Sequence, residues 1–172
     1  NHCPIEDLCL INNKLKHWPH DIFSTCPQLQ KIHCAYNQLP SIPSKIKLLT
    51  KLRTLCAQHN KIIDVSTLTT CLHLEHINLE DNQITHIPKE LFDLPKLRYL
   101  NIKNNSISSL PNIQALYLEY LFVQGNEITS IPLQLLQSPR LKIVTLDKHE
   151  HTGSTLRIVY RQEDNQFPHH RK

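Results

Sequence analysis

The stretch that decides the architecture is LEHINLEDNQITHIP, residues 74–88. Its aliphatic residues Leu74, Ile77, Leu79, Ile84 and Ile87 fall at offsets 0, 3, 5, 10 and 13, with Asn82 at offset 8. A helix would space them by three and four residues throughout, and a half-buried strand would alternate them by two. Only Ile77 and Leu79 alternate, enough for a very short strand with one face inward. Asn82 follows where such a strand must turn, and its amide can satisfy the backbone groups that the turn exposes. The same spacing starts again at Ile5, Leu29, Leu52, Leu97, Leu118 and Leu141, so that seven starts are separated by 24, 23, 22, 23, 21 and 23 residues. The asparagine position holds Asn13, Asn37, Asn60, Asn82, Asn105 and Asn126, and departs to His149 in the last copy. Second halves end on Trp18-Pro19, Ile42-Pro43, Ile87-Pro88, Leu110-Pro111 and Ile131-Pro132, with Val65-Ser66 as the exception. Proline removes a donor where the chain leaves regular pairing.

A single copy of this length cannot offset the entropy of ordering its own backbone, whereas stacked copies share one continuous core. The array is therefore the expected folding unit, with the asparagines forming a ladder. These copies, LRTLCAQHNKI, LRYLNIKNNSI and LEYLFVQGNEI among them, closely resemble the leucine-rich repeat, L-x-x-L-x-L-x-x-N-x-L. The resemblance covers residues 5–149. It implies an α/β solenoid of about seven repeats, with a curved parallel β-sheet on the concave face and short helical or irregular segments on the convex one. We expect residues 1–150 to form the array, 151–164 a capping segment in which Leu156, Ile158 and Tyr160 alternate with Arg157, Val159 and Arg161, and 165–172 a flexible tail. Cys3-Pro4 would serve as a minimal front cap unless a preceding segment is missing. The chain opens on Asn1 and holds no methionine, as a processed or trimmed chain would.

Composition narrows the chemistry. Two glycines, Gly125 and Gly153, are too few and too far apart for a dinucleotide fingerprint, a phosphate loop or a nucleophile elbow. No cofactor and no catalytic residue is expected. No apolar run approaches the ~20 residues of a membrane-spanning helix, and the net charge of +4 comes without a basic block, so neither membrane nor nucleic acid is expected as a partner. His33, Cys56, His59 and His76 fall in neighbouring copies, but spacing by repeat is no metal signature, and these read as polar surface residues. All six cysteines precede residue 72. Cys26, Cys34 and Cys71 occupy positions where other copies place apolar residues. Cys9 and Cys56 share a column two copies apart, roughly 10 Å, too far for a disulfide. A reducing compartment is the expectation.

If the alternating aliphatics point inward, the residues between them line the exposed sheet face. The third column reads Asp7, Lys31, Thr54, His76, Tyr99, Tyr120, Ile143; the fifth, Cys9, His33, Cys56, Asn78, Asn101, Phe122, Thr145. Tyr99, Tyr120, Phe122 and Ile143 thus fall in three consecutive copies and adjoining columns, with strands ~4.8 Å apart. An exposed aromatic cluster points to a protein partner on the concave face; cross-strand stabilisation of the sheet is the competing reading. Arg98, Asn101, Lys103, Glu119 and Gln124 would form a polar rim, with His76 and Asn78 beside it. The resemblance implies a non-catalytic protein-interaction module. The Ile-, Lys-, Asn- and His-rich composition and the lack of extracellular cysteine caps resemble bacterial effectors delivered into host cells, such as those of Legionella, which implies secretion into a host cytosol and regulation or inhibition of a partner enzyme. Two alternatives stand: the recognition portion of a larger effector enzyme such as a ubiquitin ligase, and an extracellular receptor-like module.

Overall fold

A computed structural model describes residues 3–147 and the strand Thr155–Val159. Seven short strands follow one another in chain order: β1 (Asp7–Cys9), β2 (Lys31–His33), β3 (Thr54–Cys56), β4 (His76–Asn78), β5 (Tyr99–Asn101), β6 (Tyr120–Phe122) and β7 (Ile143–Asp147). All are parallel and each pairs with the next in sequence, so one sheet carries one strand per copy. β8 (Thr155–Val159) closes the order by pairing antiparallel with β7. Register keeps the copies aligned: Tyr99 lies opposite Tyr120, and Leu100 opposite Leu121. The expected seventh asparagine position, His149, and the tail 165–172 lie outside the described residues.

Parallel neighbours need a crossover, and each copy's second half supplies it. These crossovers hold α1 (Ile22–Thr25), α2 (Lys89–Phe92) and α3 (Leu133–Leu136), with 3-10 turns at Ser44–Leu48 and Ser66–Thr70. Pro43, Pro88 and Pro132 each sit just before one of these segments. The core fills the space between sheet and crossovers. Ile32, Leu55, Ile77, Leu100, Leu121 and Val144 form a buried row behind the strands, and Leu39, Ile62, Ile84 and Ile107 another below the turns. Cys26, Cys34 and Cys71 are buried in the same core. In the first described copy the inward residues Leu8, Leu10, Leu15 and Trp18 are only partly buried, with no described copy stacked on their other side.

The asparagine ladder is present and saturated. Asn105 donates its Nδ2 to the carbonyls of Ile102 and Lys103 in its own copy and of Leu79 in the preceding one, while its Oδ1 accepts from Ile84 N–H. Asn60, Asn82 and Asn126 repeat the pattern. Each amide therefore ties a turn to itself and to its neighbour. The residue before each asparagine adopts a left-handed conformation: Asn12, Tyr36, His59, Asp81, Asn104 and Gly125 all have φ between 51° and 67°.

Candidate functional site

Because inward and outward residues alternate along each three-residue strand, Tyr99, Tyr120 and Phe122 emerge together on the exposed sheet face, outside the core. They are half-buried by one another. The Tyr99 ring lies 5.3 Å from that of Phe122 and 6.4 Å from that of Tyr120, both tilted, and 4.1 Å from the His76 imidazole, stacked at 13°. A continuous ring surface thus runs from β4 to β6, and Ile143 extends it in register with Tyr120. Two ammonium groups flank it: Lys103 Nζ stands 5.6 Å from the Phe122 centroid, and Lys142 Nζ 5.8 Å from that of Tyr120, within the range of cation–π attraction.

Burial sets the titration of the inner members. Desolvation, aided by nearby His33, lowers the His76 pKa below its ordinary value, favouring the neutral ring that stacks on Tyr99. Desolvation also raises the Tyr99 phenol, with the Glu80 carboxylate adding to it. Among the described residues no group of three His, Cys, Asp or Glu side chains is placed to hold a metal, so His33, Cys56, His59 and His76 share a region without forming such a group. His59 instead stacks on Tyr36 at 4.2 Å.

The polar surroundings differ in part from the expected rim. Asn101 is only 4% exposed. It donates Nδ2 to Glu80 at 2.9 Å and accepts from Lys103 N–H at 3.1 Å, so packing under the rings turns it into a brace. Asn78 makes the matching turn bond from Glu80 N–H. Gln124 is held by the Thr145 hydroxyl. Arg98 and Glu119 belong to a flank along the strand starts, where Glu119 is held by Lys142 at 2.7 Å and by Arg98 at 3.6 Å. The Glu119 bond raises the Lys142 pKa.

Residues overlooked in the sequence complete this flank. Arg53 grips Glu75 at 2.7 Å. The second column of successive copies therefore reads Arg53, Glu75, Arg98, Glu119, Lys142, alternating in sign, a pattern that was legible once the columns were aligned. Beside it a cavity of about 270 Å³ is lined by Glu75, Pro95, Lys96, Arg98, Tyr117 and Arg140, with Arg140 lying 5.6 Å over the Tyr117 ring. Lys96, Tyr117 and Arg140 each stand one residue before a copy's first leucine, Leu97, Leu118 and Leu141, a column that the repeat also made legible and that was overlooked.

Residues 63–107 match the family model described as leucine rich repeat. Among solved structures, the chain is similar to a leucine-rich-repeat protein of Leptospira interrogans: 28% identity, TM-score 0.67, covering 81% of this chain and 42% of that one. It is also similar to internalin C2 of Listeria monocytogenes, at 23% identity and TM-score 0.68, covering 77% and 57%. A third similar structure is the plant peptide hormone receptor RGFR1 in complex with RGF2, at 26% identity and TM-score 0.61, covering 74% and 22%. The chain thus spans less than two thirds of each of these proteins. One parallel strand per copy, a saturated asparagine ladder and these likenesses make the chain a leucine-rich-repeat solenoid, with the family's repeat matched at residues 63–107.

Proposed function

We propose that this chain is a non-catalytic protein-interaction module whose partner docks on the exposed sheet face, centred on Tyr99, Tyr120 and Phe122. The observation that carries this reading is the joined ring surface on a sheet whose every turn is hydrogen-bonded to the next. Such a surface is ordered before binding, which lowers the entropic cost of association. Tyrosine and phenylalanine supply large contact area at few rotatable bonds, and Lys103 and Lys142 frame it. The repeat family and its structural neighbours serve widely as binding modules, and one neighbour is a peptide hormone receptor in complex.

The test compares partners captured and cross-linked by the wild-type chain with those captured by Tyr120→Ala/Phe122→Ala, with Leu133→Ala on the opposite side as control. A partner retained by the control and lost by the double variant is the expected result. Equal affinity of all three for a verified partner overturns the reading.

The finer assignment, an effector that occludes or regulates a partner enzyme in a host cytosol, rests on compositional resemblance and belongs to the same proposal. So does a reducing location, which stands on the sequence reading of the cysteines, three of them buried in the core. The extracellular alternative predicts disulfides among the six cysteines, and Cys3 and Cys26 are the pair it would use first, since they neighbour one another at the front of the array. Mass spectrometry without reductant separates the two. Six intact thiols support the reducing compartment; a Cys3–Cys26 bond favours the extracellular module.

A further inference from the structure

We propose that the partner of the exposed sheet face is an acidic peptide segment, whose carboxylates are received by the cationic flank beside the aromatic cluster. This rests on the partner-binding reading and adds the chemistry of the ligand. Five cations, Arg53, Lys96, Arg98, Arg140 and Lys142, gather along the strand starts against two carboxylates, Glu75 and Glu119. The difference, five minus two, leaves +3 on this flank, most of the formal +4 of the whole chain.

Both carboxylates are paired: Arg53 holds Glu75 at 2.7 Å, and Glu119 is held by Lys142 at 2.7 Å and more distantly by Arg98 at 3.6 Å. Among the described residues neither Lys96 nor Arg140 forms an ion pair with a carboxylate, and both are exposed. They face the same 270 Å³ cavity as Arg98, with the Tyr117 ring beneath Arg140. Guanidinium groups present fixed donor forks suited to carboxylates, and the Tyr117 ring orients one of them. The flank is continuous with the aromatic cluster, because Lys142 touches both: its ammonium bonds Glu119 and lies over Tyr120. A segment with an apolar residue on the rings therefore places adjacent acidic residues over the cavity.

The experiment measures fluorescence anisotropy of a labelled synthetic peptide carrying one Phe between two pairs of Glu, and of the same peptide with Gln for Glu. Binding of the Glu peptide that weakens at least about tenfold in Lys96→Glu/Arg140→Glu, and falls steeply with added salt, is expected. Lys96→Gln/Arg140→Gln should show a smaller loss, and Lys89→Glu on α2 none. Since the varied side chains are exposed, an unchanged Tm certifies folding. Three results overturn the proposal: no binding of the Glu peptide, equal affinity for the Gln peptide, or an oligonucleotide of equal charge bound as tightly. If the charge reversals change nothing while Tyr120→Ala/Phe122→Ala abolishes binding, the acidic ligand falls and the aromatic docking site survives. If neither variant pair matters, both fall.

Discussion

Asn105 shows how much one side chain does in this fold. It is buried and spends both amide donors and its acceptor on backbone groups of two copies. Asn105→Ala leaves the Ile84 N–H without its acceptor, at a cost of ~1–3 kcal/mol, while the carbonyls of Leu79, Ile102 and Lys103 keep donors from Asn82, Asn126 and Asp81; chemical denaturation should show a loss of about that size. Gly125 is constrained differently. Its φ is +67°, and an added Cβ would meet the Asn104 side-chain oxygen. Gly125→Ala should therefore destabilise by ~1–3 kcal/mol, read as a lower Tm. Tyr36 and His59 tolerate the equivalent left-handed position with their rings stacked outside the turn. Cys34 makes a prediction in pH. Burial pushes its thiol up to about 12, with the nearby Cys56 adding to the shift. A folded-state pKa above the unfolded 9.0 means the contribution to stability is complete below that value and is lost as pH rises toward 12. In the folded protein at about pH 8, iodoacetamide should modify exposed Cys9 and spare Cys34 until denaturant is added.

At the scale of the strand, three residues divide two duties. In β6, Leu121 is fully buried while Tyr120 and Phe122 face outward. Leu121→Ala should cost ~2–5 kcal/mol through the cavity left behind the sheet. Tyr120→Ala should lose far less stability, since its ring is only half-buried, and its effect should appear in partner affinity. Similar losses of stability for the two variants would mean that the rings serve the sheet rather than a partner. The α-helical segments are too short to fold alone; α1, α2 and α3 exist because Phe23, Leu91 and Leu135 insert between sheet and turn.

At the scale of the whole molecule, stability is a property of stacking. A peptide of residues 74–96, one complete copy, should show no β signal by circular dichroism, because its inward row is covered only by neighbours. The same stacking assembles function from distant parts of the chain: His76, Tyr99, Tyr120 and Lys142 span 66 residues, obtained as 142 minus 76, yet form one surface. The repeat, the parallel sheet, the asparagine ladder and the aromatic columns were all legible in the sequence, because a period of about 23 residues makes column neighbours into spatial neighbours. Lys96, Tyr117 and Arg140 share the column just before each copy's first leucine and were equally legible, but a column shows neighbours without showing that they enclose a cavity. Asn101 looked exposed because column position gives direction but not depth. Periodicity thus decided which residues share a face or a column; the tertiary structure decided how deeply each sits and which of them enclose a cavity or pair, since burial and cross-strand distance depend on the bulk of neighbouring side chains and on crossover paths that vary from copy to copy.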